Sequence, residues 1–172
     1  LAIVARRESY GGMEYTSARM LSRGRHESTY GKFEARIQLP RGAGLWPAFW
    51  LLGANIGTVG WPACGEIDVM EYVGQQRFKM FSSVHGPGYS GGGAITQNFW
   101  LPSTGPGFDE GFHTFAVEWD PQRIVFLVDG VPFATVPARE VPKLALRPGA
   151  TAREPTHGRA WGGEPGKSNE HT

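Results

Sequence analysis

Three carboxylates crowd into six residues at Gly65-Glu66-Ile67-Asp68-Val69-Met70-Glu71-Tyr72-Val73-Gly74. They alternate with Ile, Val, Met and Tyr, which favour strands, so the segment reads as a β-strand. On a strict two-residue period Glu66 and Asp68 share one face and Glu71 falls on the other. One extra residue, a β-bulge at Val69-Met70, rotates Glu71 back beside its partners and sends Ile67 and the bulge residues into the core. Glu66 and Glu71 are then about 13 Å apart along the backbone at strand rise. Two inward-leaning Glu side chains close most of that gap. Cleavage of a glycosidic bond with retention requires carboxyl groups about 5–5.5 Å apart, and this spacing permits it. Three solvated acids on one strand repel one another, so without a function the pattern is costly.

The elements that must hold this strand are also strands. Lys32–Leu39 alternates cleanly, with Phe33, Ala35, Ile37 and Leu39 opposite Lys32, Glu34, Arg36 and Gln38, the pattern of a sheet with one buried face. Leu45–Leu52 is apolar, and Pro47 pushes it towards an edge or a bulge. Phe78–His85 sets Phe81, Ser83 and His85 on one face, and His113–Trp119 alternates again. Asp129-Gly130 between two apolar runs predicts a two-residue type I′ hairpin over 123–136. Leu1–Ala5 and Glu14–Leu21 read as two further strands. No sustained 3.6-residue apolar period occurs, so the expected fold is an all-β sandwich.

The residues quoted so far resemble glycoside hydrolase family 16. Glu-Ile-Asp-Val-Met-Glu is similar to the bulged signature of its laminarinase-like endo-β-1,3-glucanases. The resemblance runs from about Leu1 to Val136. It takes in Tyr30–Arg36, Gly44–Trp50, Trp61–Cys64, His85–Gly91 and Phe112–Phe115, in the expected order. It implies a concanavalin-like β-jelly-roll sandwich, here incomplete at both ends. It also implies retaining endo-hydrolysis of β-1,3-glucosidic bonds in a laminarin-like glucan. Glu66 would be the nucleophile, Glu71 the general acid/base, and Asp68 the carboxylate between them that helps keep Glu71 protonated. Mixed-linkage glucan, agar and carrageenan are cleaved by similar folds and stay open as substrates. A carbohydrate-binding jelly roll without turnover, or an inactive fragment, is the reading from another class. Family members often carry a structural calcium, possible here in a full-length form, although no cofactor is required. The resemblance further implies a secreted protein, monomeric when complete.

Around the acids, Trp61 on the preceding loop is the leading sugar platform, followed by Trp46 and Trp50; each competes with a plain core role, since Trp is often largely buried. Arg36 could hold a sugar hydroxyl, and His85 could donate to a sugar or to Glu71. Glu34, His113 and Trp119 have weaker claims. Two motifs share residues 86–92: a dinucleotide-type glycine spacing and a serine-hydrolase elbow around Ser90. Both need a following helix, and Ala94–Leu101 has no helical period.

Composition narrows the remainder. A net charge of +1 over 172 residues points to neither nucleic acid nor an acidic membrane surface. A lone Cys64 excludes an internal disulfide framework, no residues have zinc-site spacing, and no run is apolar enough to span a bilayer. Residues 1–137 read as a partial catalytic domain. Residues 138–172, rich in Arg, Gly, Pro, Glu and Thr, read as disordered or as an aberrant, frame-shifted tail. Without its remaining strands the isolated chain is expected to be unstable and weakly active.

Overall fold

The computed structural model describes residues 1–141. The chain divides into two compact units, one holding residues 1–27 and the other beginning at Ser28; each is taken by itself. The first is a hairpin of β1 (Arg6–Tyr10) and β2 (Met13–Thr16), turning through Gly11-Gly12 at positive φ. The expected strand over Leu1–Ala5 does not form: those residues are exposed and outside the ladder. Among the described residues their apolar run meets no facing surface. The second expected strand shortens to four residues, ending at Thr16.

In the second unit two four-stranded antiparallel sheets pack as a sandwich. One has the order β10-β9-β8-β3 and the other β4-β5-β6-β7. The strands are β3 (Gly31–Ile37), β4 (Ala48–Leu52), β5 (Glu66–Tyr72), β6 (Lys79–His85), β7 (Ile95–Trp100), β8 (His113–Trp119), β9 (Arg123–Val128) and β10 (Val131–Pro137). Ile67, Val69, Met70 and Tyr72 of β5 form one core with Phe115 and Val117 of β8 and with Ile124, Phe126 and Val128 of β9. Asp129 and Gly130 both have positive φ, as a type I′ turn requires. Pro47 precedes β4, which ends its sheet. Strand β7, for which the sequence reading had no element, alternates partly buried Ile95, Gln97 and Phe99 with exposed Thr96, Asn98 and Trp100.

The acidic strand carries the slip in register that the spacing anticipates. On the β6 side Asp68 pairs with Ser83 and Glu71 with Phe81, so Ser82 alone faces Val69 and Met70. On the β4 side Trp50 pairs with Asp68 and Phe49 with Met70, leaving Val69 out. Val69 and Met70 are both buried. The buried Ser82 hydroxyl donates to the Val69 carbonyl at 2.8 Å, which pins the bulge. Ser82→Ala leaves that carbonyl in the core without its donor, a loss of about 1–3 kcal/mol. Denaturant unfolding of the variant measures it, and an unchanged midpoint would mean that the bulge stands without Ser82.

Candidate active site

Alternation across the registered strands builds one polar face. Trp50 of β4 lies opposite Asp68, and His85, Ser83 and Phe81 of β6 lie opposite Glu66, Asp68 and Glu71. The loop into β5 is tightly closed. Gly53 N donates to Gly65 O at 3.0 Å, and a Cβ on Gly53 would sit 1.9 Å from the Cys64 carbonyl oxygen. Gly65 itself has φ of 76°, which glycine adopts without strain. That backbone delivers Trp61 to the first acid and Glu66 to the strand.

Each outer carboxyl is held by an indole. Trp61 Nε1 donates to Glu66 Oε2 at 2.7 Å, and Trp46 Nε1 donates to Glu71 Oε1 at 3.1 Å. Ser83 Oγ donates to the other Glu71 oxygen at 3.3 Å and lies 3.2 Å from Thr96 Oγ1. His85 Nε2 lies 3.0 Å from Asp68 Oδ2, at ion-pair distance but without hydrogen-bond alignment. Its ring lies 5.8 Å from that of Trp61. Trp46 remains more than half exposed, so it can hold Glu71 and still offer a ring face.

Burial dominates the electrostatics. Glu66 and Asp68 are buried. Glu71 is pushed up to about 7, first by desolvation and then by the nearby Asp68 charge; His85, the Trp46 indole and the Ser83 hydroxyl pull the other way. Glu66 is raised by burial, by the Asp68 charge and by a hydrogen bond with Asp68, against the charge of His85 and the Trp61 bond. Asp68 is raised by burial and relieved by the Glu66 bond. At neutral pH the three acids therefore share fewer than three negative charges. Such a group can keep one carboxyl protonated beside one that is ionised.

Of the residues singled out in the sequence, Glu66, Asp68, Glu71, Trp46, Trp50, Trp61 and His85 come together. Arg36 does not. It lies on β3 in the opposite sheet, whose inward residues are Phe33 and Ile37, and its guanidinium stacks on Phe112 at 4.4 Å. Glu34 pairs with Lys32 on the same strand, and His113 Nδ1 meets Asp129 at 2.8 Å. Ser83 and Thr96 are additions; the Ser83 position was legible from its alternation with His85, its role was not. Ser90 is followed by a three-residue 3₁₀ turn and a strand, a context that fits neither glycine motif. Although the sequence reading expects no metal, Glu66, Asp68 and His85 offer ligand atoms within 4.8 Å of one another. The contact of His85 Nε2 with Asp68 Oδ2 accounts for part of that approach.

The comparisons with known proteins agree with this fold. The profile of glycosyl hydrolases family 16 matches residues 5–170, and the chain belongs to that family. It is 37% identical to a β-glucanase of Rhodothermus marinus over 99% of this chain and 62% of that protein. It is 38% identical to a glucan endo-1,3-β-glucosidase of Cryptopygus antarcticus over 75% of this chain and 48% of that protein. The laminarinase catalytic domain from Thermotoga maritima superposes with a TM-score of 0.78 at 46% identity, over 83% of this chain and 58% of that one. The chain thus spans about three-fifths or less of these relatives. The family match runs past Val136, and the segment 138–172 that reads as a tail lies almost wholly outside the described residues.

The raised acids fix a sign for stability. Below pH 4.5 Glu71 is neutral whether folded or unfolded; as pH rises towards about 7 the unfolded chain loses the proton while the folded one retains it, and stability falls. Glu71→Gln removes that penalty. The variant should match the parent at pH 4 and exceed it at pH 8 by up to about 3 kcal/mol, read as a widening gap in Tm.

Proposed function

We propose that this chain carries the catalytic centre of a retaining endo-β-1,3-glucanase acting on a laminarin-like polysaccharide. The observation that carries the reading is the pair Glu66 and Glu71, turned to one face by the bulge, each held by an indole and each raised in pKa. Glu71, protonated near neutrality, gives its proton to the glycosidic oxygen of the departing sugar. Glu66, ionised, attacks the anomeric carbon and forms a glycosyl-enzyme. Glu71, now a base, takes a proton from water; the oxygen attacks the anomeric carbon and Glu66 leaves. Asp68 lies between the two and, by its charge, keeps the proton on Glu71.

A sugar-binding module has no use for three largely desolvated carboxyls, whose desolvation only costs stability. Support for β-1,3 linkage comes from the relatives named as glucan endo-1,3-β-glucosidase and laminarinase. A polymer too large to import places the work outside the cell.

A reducing-sugar assay across β-1,3-glucan, mixed-linkage glucan, agar and carrageenan tests the substrate; release from agar or carrageenan alone would overturn it. The two roles separate by mutation. Glu66→Gln abolishes turnover and keeps sugar binding, because an amide retains the shape but cannot attack. Glu71→Ala spares substrates with good leaving groups, and azide rescues them as a β-glycosyl azide. An α-azide product would reverse the assignment.

A further inference from the structure

The polar face does not stop at the acids. Glu71 pairs with Phe81 on β6, and two residues along the same face Lys79 pairs with Trp100 on β7, the last strand of this sheet. Two strand spacings sideways and one residue pair along put Trp100 roughly 12 Å from Glu71 in backbone terms. Aromatic rings bridge part of the interval: Trp46, bonded to Glu71, lies 6.5 Å from Phe81 between ring centroids. Trp100 is 63% exposed. It borders a pocket of about 450 Å³ that Lys79, Gln75 and Gln76 also line.

We propose that Trp100, Lys79 and the Gln75 and Gln76 amides form a remote subsite that binds a neutral sugar residue of the same glucan chain. The proposal rests on the glucanase reading above. The Lys79 ammonium lies over the indole at 5.3 Å, a cation–π contact that fixes the ring and leaves its remaining surface for the apolar face of a pyranose. Gln75 accepts from Gly44 N at 3.4 Å, which orients one amide beside the pocket. Amides at the rim supply directional bonds to hydroxyls, and the ring supplies area, the usual division of labour in such sites. The occupant is neutral as a sugar of the glucan chain is, and the other cation lining the pocket is engaged elsewhere. Arg77 meets both oxygens of Asp109 at 3.0 and 2.9 Å and also contacts Glu110. Trp100 touches none of the reacting groups, so it governs the length of chain that is bound, not the chemistry.

The test measures binding of short and long β-1,3-gluco-oligosaccharides by calorimetry, in a Glu66→Gln background that prevents turnover. Affinity should rise with length in the parent. Trp100→Ala should weaken the long ligands about tenfold, the scale of a truncated aromatic anchor, and leave the short ones unchanged. Trp100→Tyr should restore most of the loss. Equal affinity of parent and Trp100→Ala for long ligands would overturn the subsite while the glucanase reading stands. Failure of the parent to bind any of these glucans would overturn both.

Discussion

The single extra residue at Val69-Met70 is the constraint on which the site depends. A strand presents alternate residues to alternate faces, so Glu66 and Glu71, five apart, would otherwise lie on opposite sides of the sheet. The bulge sends two consecutive side chains into the core and returns Glu71 to the face of Asp68. Both neighbouring strands accept the slip, β4 between Phe49 and Trp50 and β6 at Ser82. Ser82 pairs the buried Val69 carbonyl. The distortion is thus held from both sides and from within, and the core gains two apolar side chains where a regular strand would have buried a carboxylate.

The price of the arrangement is electrostatic. Three acids sit where water is largely excluded, and burial is the first cause of every raised pKa among them. The surrounding groups moderate the penalty without cancelling it: two indole N–H groups, a serine hydroxyl and the His85 ring. A folded state that finds its acids easier to protonate is less stable as pH rises towards neutrality, and the same shift supplies a proton donor there. Stability and chemistry are opposed through the same side chains.

Much of the fold was legible where a strand alternates or a turn has its own chemistry. The alternation at 32–39 and 113–119 and the Asp129-Gly130 turn each carry a local signal that the packed structure obeys. The bulge was legible from the spacing of the acids alone. Arg36 misled because alternation says which residues share a face and not which sheet that face belongs to; it ends on the sheet opposite the acids. Leu1–Ala5 misled because an apolar run needs a partner surface. Strand β7 was overlooked because Thr96, Asn98 and Trp100 blur an alternation carried only by Ile95, Gln97 and Phe99. The tryptophans could be nominated but not placed; whether the Trp61 N–H reaches Glu66, for one, depends on loop closure at Gly53 and Gly65.

The central claim, that the bulge gathers three desolvated and coupled carboxyls, is tested most directly by carbon NMR titration of the chain labelled at its Asp and Glu carboxyl groups, with Glu66→Gln, Asp68→Asn and Glu71→Gln used for assignment. Glu71 should titrate near 7, and removal of Asp68 should lower its midpoint. Three independent titrations within the ordinary carboxylate range, between about 3 and 5, would contradict the account.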